Sequence, residues 1–232
     1  PDFRGNKGFW KAYPALKNKN RSFKDMANPT QFESAPEMAW GFYGHRLQLY
    51  RQIEPHPGFQ IVHRWASTKP GGYFIYTSNV DGHFQKAGLD QNRIIECHGS
   101  IHHLQTLYGH TGGIISANFY QPEIDPEFLR TNELPYHPDS GDLLRPNILM
   151  FEDYGWLPDR TDEQRARYKE WLNQVKKSNL VAIELGAGLA IPTVRMQGQH
   201  LRMKFGATLI RINPNQPRKA NIGLPMGALD GL

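Results

Sequence analysis

The chain is expected to be an α/β protein, a Rossmann-like doubly wound parallel sheet with a small inserted helical and loop module. Three observations predict this. After Arg145, apolar strand-like runs alternate with amphipathic helical runs, the order that winds a parallel sheet. Two apolar runs, 73–76 and 94–97, flank the polar stretch TSNVDG and a short helical segment, and the second run delivers His98. A third run, 179–185, ends in Gly186-Ala187-Gly188, and open α/β sheets bind ligands at such carboxyl ends.

The elements follow in order. Residues 8–24 are aromatic and basic, with Phe9, Trp10 and Tyr13, and read as a loop plus a short helix. From 35 to 53 the residues Ala39, Tyr43, Arg46, Tyr50 and Ile53 recur at helical spacing, with Pro36 in the first turn and Pro55 past the end. A second helix is expected at 59–67, closed by Lys69-Pro70-Gly71-Gly72. Residues 105–144 are rich in glycine and proline and read as a loop module held by Phe119, Tyr120, Phe128, Leu129 and Leu134. Beyond it come a buried strand at 147–151 and a helix at 161–177, the latter with a Thr161–Gln164 capping box. A strand at 179–185, a helix at 191–204 and a strand at 208–212 complete the alternation, and the tail from 220 ends as a helix would begin.

Composition narrows the function. The chain has 232 residues, 39% hydrophobic and 21% charged, which suits an ordinary globular domain with a sizeable core. No run of 18 apolar residues is present, which argues against a membrane span. A single cysteine, Cys97, precludes an internal disulfide and fits a reducing compartment, so a cytoplasmic location is expected. The net charge of +5 comes from scattered lysines and arginines, which argues against direct nucleic-acid binding.

TSNVDG at 77–82 followed by ECHGS at 96–100 resembles the sirtuin family, the NAD-dependent protein deacylases. Further matches stand in the family's order: PDFRG at 1–5, RPNILMF at 145–151, ELGAGLAIP at 184–192 and LIRINP at 209–214. The resemblance implies that NAD is consumed as co-substrate and that an acyl group passes from a lysine of a protein or peptide to ADP-ribose, releasing nicotinamide. It also implies an NAD-binding domain from 1–24, 72–104 and 145–232, with 25–71 and 105–144 forming a small domain. An NAD glycohydrolase or ADP-ribosyltransferase on the same scaffold is the alternative, and a non-catalytic nucleotide-binding module is a third reading. His98 favours deacylation, because hydrolysis needs no such base.

By the same resemblance, Asp81 accepts a hydrogen bond from the nicotinamide amide and Asn79 holds a water or ribose hydroxyl near the reacting carbon. His98 is the general base, its ordinary pKa near 6.5 suiting proton removal from a ribose hydroxyl. Alone, Asp81-Gly82 reads as a plain turn and His98 as a structural histidine. The segment with Asp2, Phe3 and Arg4 lines the floor of the nicotinamide pocket, Phe3 shielding the reactive ribose face and Arg4 meeting cofactor phosphate or ribose, while Ser78 stands where the family has glutamine and removes a ribose contact. Gly186, Ala187 and Gly188 meet the adenosine side, and Asn213 with Pro214 holds its ribose; by itself Asn213-Pro214 reads as a turn after a strand. Met150, Phe151 and Glu152 form the segment that pairs with substrate, Glu152 replacing a family glycine. A glycine-rich phosphate turn and a strand, both expected ahead of PDFRG, are expected upstream of Pro1.

Ala27, Tyr43 and Arg46 resemble the combination of the sirtuin class that removes acidic acyl groups, with Tyr43 and Arg46 three residues apart on one helix face. From spacing alone they read as a core tyrosine and a solvated arginine. The family's zinc ribbon has no counterpart in cysteines: Thr106, His110, His137 and Ser140 stand near the four positions. Neutral hydroxyls are weak ligands, so no zinc is expected, a site rebuilt from His110, His137 and Asp139 being the alternative. Cys97 is assigned to packing.

Overall fold

The computed structural model describes residues 6–18 and 21–232, so Asp2, Phe3 and Arg4 lie outside the described residues. The elements run α1 (Asn6–Ala12), α2 (Pro14–Asn18), α3 (Phe23–Met26), α4 (Thr30–Ser34), α5 (Pro36–Gln52), α6 (Pro57–Ser67), β1 (Ile75–Thr77), α7 (His83–Lys86), β2 (Ile94–Glu96) and β3 (Gly99–Thr106). They continue with β4 (Ile114–Ser116), β5 (Leu144–Ile148), α8 (Asp159–Val175), β6 (Val181–Leu185), α9 (Thr193–Phe205), β7 (Thr208–Ile212) and β8 (Ile222–Leu224). Two compact units result. The first holds the described residues up to Ile53 with Asn79–Gly82 and His98–Arg160; the second holds Glu54–Ser78, His83–Cys97 and Thr161–Leu232. These boundaries differ from those read off the sequence, since α6 falls in the second unit and β5 in the first.

The first unit is built on an antiparallel sheet of order β4-β3-β5. Helix α5 starts on Pro36 as expected and buries Met38, Ala39, Trp40, Phe42, Tyr43 and Leu47. The Trp40 indole N–H donates to the Leu144 carbonyl at 2.9 Å, so the largest core side chain also satisfies its one polar atom. Residues 8–24 carry three short helices where a loop and one helix were expected, because Phe9 and Tyr13 bury their rings edge-on against Phe42 at 5.9 and 5.0 Å. In the 105–144 module Tyr120 and Leu129 are buried as expected, but Phe119 and Phe128 are 59% and 51% exposed.

Strand β3 escaped sequence reading. GSIHHLQT has only two apolar residues, and a register shift between Ser100 and Leu104 breaks the alternation that would mark a strand. Its presence also corrects the strand expected at 147–151. That strand is β5, three residues earlier, and it pairs antiparallel with β3 rather than joining a parallel sheet.

The second unit carries the parallel sheets, β1-β2 and β6-β7-β8, with helices packed on them. Among the described residues no strand joins one sheet to the other, and β6 leaves Val181 and Ile183 at 52% and 42% exposure. Tyr168, Trp171, Leu172 and Val175 of α8 pack with Phe74 and Tyr76. The Thr161–Gln164 capping box is corrected: α8 begins at Asp159, and both side chains turn to Glu96 instead. Thr161 Oγ1 donates to the Glu96 carbonyl at 3.1 Å, and the Gln164 Oε1 accepts from the Glu96 N–H at 2.9 Å. The tail adds β8 beside β7, a strand the sequence did not suggest, and then ends in a turn in which the Gly231 N–H donates to the Gly227 carbonyl at 3.1 Å.

Candidate active site

In the first unit, the residues expected to do chemistry are held by main-chain hydrogen bonds. Strands β1 and β2 end at Thr77 and Glu96, so Asn79, Asp81 and His98 follow carboxyl ends as anticipated. Asn79 is exposed, while Asp81 and His98 are half-buried. Gly99 turns the chain directly after His98, with φ +78°, and a Cβ there would lie 2.0 Å from the Asn147 carbonyl oxygen. Only glycine permits that dihedral and that approach of two strands, which explains the glycine of ECHGS. The His98 carbonyl accepts from the Leu149 N–H at 3.0 Å, and two residues on the Phe151 N–H donates to the Ala27 carbonyl at 2.9 Å. The chain of contacts thus runs from His98 along Met150 and Phe151 to Ala27. Met150 is buried, and Glu152, at φ +56°, faces Lys24 at 3.8 Å.

Tyr43 and Arg46 are both buried on α5. Tyr43 stacks on Phe32 at 5.6 Å, and burial pushes its phenol up to about 12, leaving it a neutral donor at physiological pH. The Arg46 guanidinium lies over the rings of Phe23, Phe42 and Tyr50 at 5.8, 5.3 and 5.5 Å. Its Nη2 donates to the Tyr50 hydroxyl at 2.7 Å, so Tyr50, one turn further on, is a member of this group that the sequence reading did not assign. Cys97 belongs to the second unit and is buried. Burial pushes its thiol up to about 11, which makes it inert as a nucleophile.

The second unit holds Ser78 and the turn after β6. The Asn213 amide donates to the Ala187 carbonyl at 3.0 Å, and Arg195 Nη1 donates to the same oxygen at 3.1 Å. Asn213 Oδ1 also accepts from the N–H groups of Asn215 and Gln216, so the plain turn expected of Asn213-Pro214 is formed too. A Cβ added at Gly186 or Gly188 would meet nothing within 4 Å, which leaves backbone room for a ligand's close approach. Arg195, buried at 7% exposure, was missed because a lone arginine in a helical run reads as solvated surface.

The zinc-ribbon positions do not fit a metal. Among the described residues no three His, Cys, Asp or Glu side chains converge. His137 Nδ1 accepts from the N–H groups of Asp139 and Ser140, each at 3.3 Å, and Asp142 accepts from the hydroxyls of Thr111 and Ser140 at 2.7 and 2.8 Å. Thr106 Oγ1 donates to the Thr111 carbonyl, and His110 is exposed, stacked on Tyr108.

One titration bears on the first unit's stability. Burial, followed by the charges of Arg160 and His102, holds His103 down to about 4 against an ordinary 6.5. Between those values the unfolded chain binds more protons, so stability is complete above 6.5 and falls as pH drops through 4. The loss is at most about 3 kcal/mol, from 1.36 kcal/mol per pKa unit. Urea titrations at pH 7.5, 5.5 and 4.5 should show this fall, and His103→Gln should flatten it. An equally steep fall in the variant assigns the acid sensitivity to other groups.

Parallel strands with helices between them, and a glycine turn at the carboxyl end of one strand, define a Rossmann-like nucleotide-binding protein. The chain belongs to the Sir2 family, whose model matches residues 1–183. It is 26% identical over 215 residues to the NAD-dependent protein deacylase of Thermococcus kodakarensis, covering 92% of this chain and 73% of that protein. The NAD-dependent protein deacylase of Aquifex aeolicus is also 26% identical, over 223 residues, covering 93% of this chain and 77% of that protein. A solved Sir2 homologue in complex with NAD superposes with a TM-score of 0.68 at 22% identity, covering 100% of this chain and 79% of the other, an agreement of fold.

Proposed function

We propose that this chain is an NAD-dependent protein-lysine deacylase with a preference for succinyl, malonyl or glutaryl groups. Membership of the Sir2 family and the deacylase names of its relatives support the reaction class. The observation that carries the site is the bond from Leu149 N–H to the His98 carbonyl, which sets a base at the head of the segment expected to pair with substrate. NAD supplies the ribosyl carbon and the nicotinamide leaving group. Asp81 holds the carboxamide, Asn79 holds a water or ribose hydroxyl, and His98 Nε2 or Nδ1 takes the ribose hydroxyl proton. Gly186, Ala187, Gly188, Asn213 and Pro214 hold the adenosine end, with Ser78 at the ribose, and the family resemblance gives Asp2, Phe3 and Arg4 to the nicotinamide pocket and the ribose or phosphate beside it.

The acidic preference rests on Arg46, a buried guanidinium in an aromatic surround, with the neutral phenol of Tyr43 and the hydroxyl of Tyr50 beside it. A carboxylate there would receive two parallel N–H bonds and a phenol O–H. Wild-type protein given NAD and matched peptides should form acyl-ADP-ribose faster from succinyl-, malonyl- or glutaryl-lysine than from acetyl-lysine. Arg46→Met should weaken the acidic substrate by ~1.5–3 kcal/mol while sparing the acetyl one. Preference for acetyl-lysine, or equal harm to both substrates, makes Tyr43 and Arg46 structural. Free ADP-ribose formed without peptide would indicate a glycohydrolase.

A further inference from the structure

We propose that His102 is a positioning residue for Asp81, setting the strength of NAD and nicotinamide binding through the backbone of the 79–82 loop. The proposal rests on the reading of Asp81 as the nicotinamide contact. Two bonds dock this loop onto β3: the Ile101 N–H donates to the Val80 carbonyl at 3.0 Å, and His102 Nε2 lies 2.9 Å from the Asp81 carbonyl. A carbonyl only accepts, so Nε2 carries the proton. The first bond joins two backbone groups; the second belongs to one side chain.

The His102 backbone is itself fixed. The His102 carbonyl accepts from the Ala117 N–H at 2.9 Å, and its N–H lies 3.3 Å from the Ser100 hydroxyl. Gly82 completes the seat. It has φ +70°, and a Cβ there would come 2.8 Å from His102 Cδ2 and 3.0 Å from Nε2. The ring therefore lies directly on Gly82 and bonds the carbonyl before it, pinning the peptide plane that joins Asp81 to Gly82. That plane helps set the direction of the Asp81 Cα–Cβ bond, and so where its carboxylate can meet an amide. His98 stands four residues earlier, in the turn that leads directly into β3, so the base and the residue that sets the nicotinamide contact lie on one short segment.

His102→Phe keeps a ring over Gly82 and removes the donor, while His102→Gln keeps an N–H donor. One neutral hydrogen bond corresponds to roughly a threefold to tenfold effect. His102→Phe should raise the KM for NAD and the inhibition constant of nicotinamide by that factor, leave the peptide KM unchanged, and be largely restored in His102→Gln. Nicotinamide titration by saturation-transfer NMR reads the same site without turnover and should weaken in step. Unchanged NAD and nicotinamide values in His102→Phe, or peptide and NAD values moving together, overturn the proposal while the deacylase reading stands. A folded wild type that neither consumes NAD nor binds nicotinamide overturns both.

Discussion

A His98→Ala protein is expected to bind NAD as the wild type does, yet to form acyl-ADP-ribose more slowly by ~10²–10⁴, the loss that follows removal of a general base. The expectation rests on placement as well as residue type. Gly99 turns β3 hard against β5 immediately after His98, and the His98 carbonyl is bonded to Leu149, so the imidazole starts from a backbone fixed on both sides. Two neighbours in sequence are poor substitutes for it. Cys97 is held as a thiol by burial, and the burial of His103 makes it a poor proton acceptor near neutrality. Calorimetric titration with NAD and single-turnover product formation separate the two effects. Undiminished turnover in the variant would remove His98 from the mechanism.

The second large effect is on stability. The side chains of Arg145 and Asp153 are both fully buried and form a two-pronged pair, Nη1 to Oδ2 at 2.9 Å and Nη2 to Oδ1 at 2.8 Å. Arg145 also donates to the Leu107 carbonyl, and Asp153 accepts from the N–H groups of Met150 and Gly155. Asp153→Ala leaves a guanidinium buried without its counter-charge, which costs about 3–5 kcal/mol. That is a large part of the whole stability of a typical domain, about 5–15 kcal/mol. Urea denaturation should show the loss. The double variant Arg145→Met with Asp153→Leu should recover part of it, since it removes the unpaired buried charge but still leaves the Leu107 carbonyl and the Met150 and Gly155 N–H groups without these partners. A single variant within about 1 kcal/mol of wild type would mean that water reaches the guanidinium, contrary to its burial. The pair also holds the segment that begins at Met150, so peptide KM should rise in Asp153→Ala before global unfolding sets in.

The sequence by itself determined the parallel α/β unit. Apolar runs at β1, β2, β6 and β7 read through because each is a short apolar segment bounded by turn residues, whatever the burial of its individual side chains. It also determined the family, because TSNVDG, ECHGS and the glycine turn are local, contiguous and in order. Helices α5, α6 and α9 were legible from spacing, with Pro36 and the Pro55 stop marking α5.

The antiparallel sheet of the first unit was decided only in three dimensions. Its central strand, β3, contains histidines, a glutamine and a threonine, and a strand so polar is specified by its partners β4 and β5 rather than by its own pattern. Thr161 and Gln164 show the same limit in reverse. A local motif read as a helix cap lost to Glu96, far away in the chain, whose buried backbone required partners. The bond from His102 to Asp81, the Arg145–Asp153 pair and the ring of aromatics around Arg46 join residues far apart in sequence or differ from solvated surface only by burial. Charge and hydrogen-bonding capacity are written in the residue, but whether water or protein satisfies them is fixed by packing.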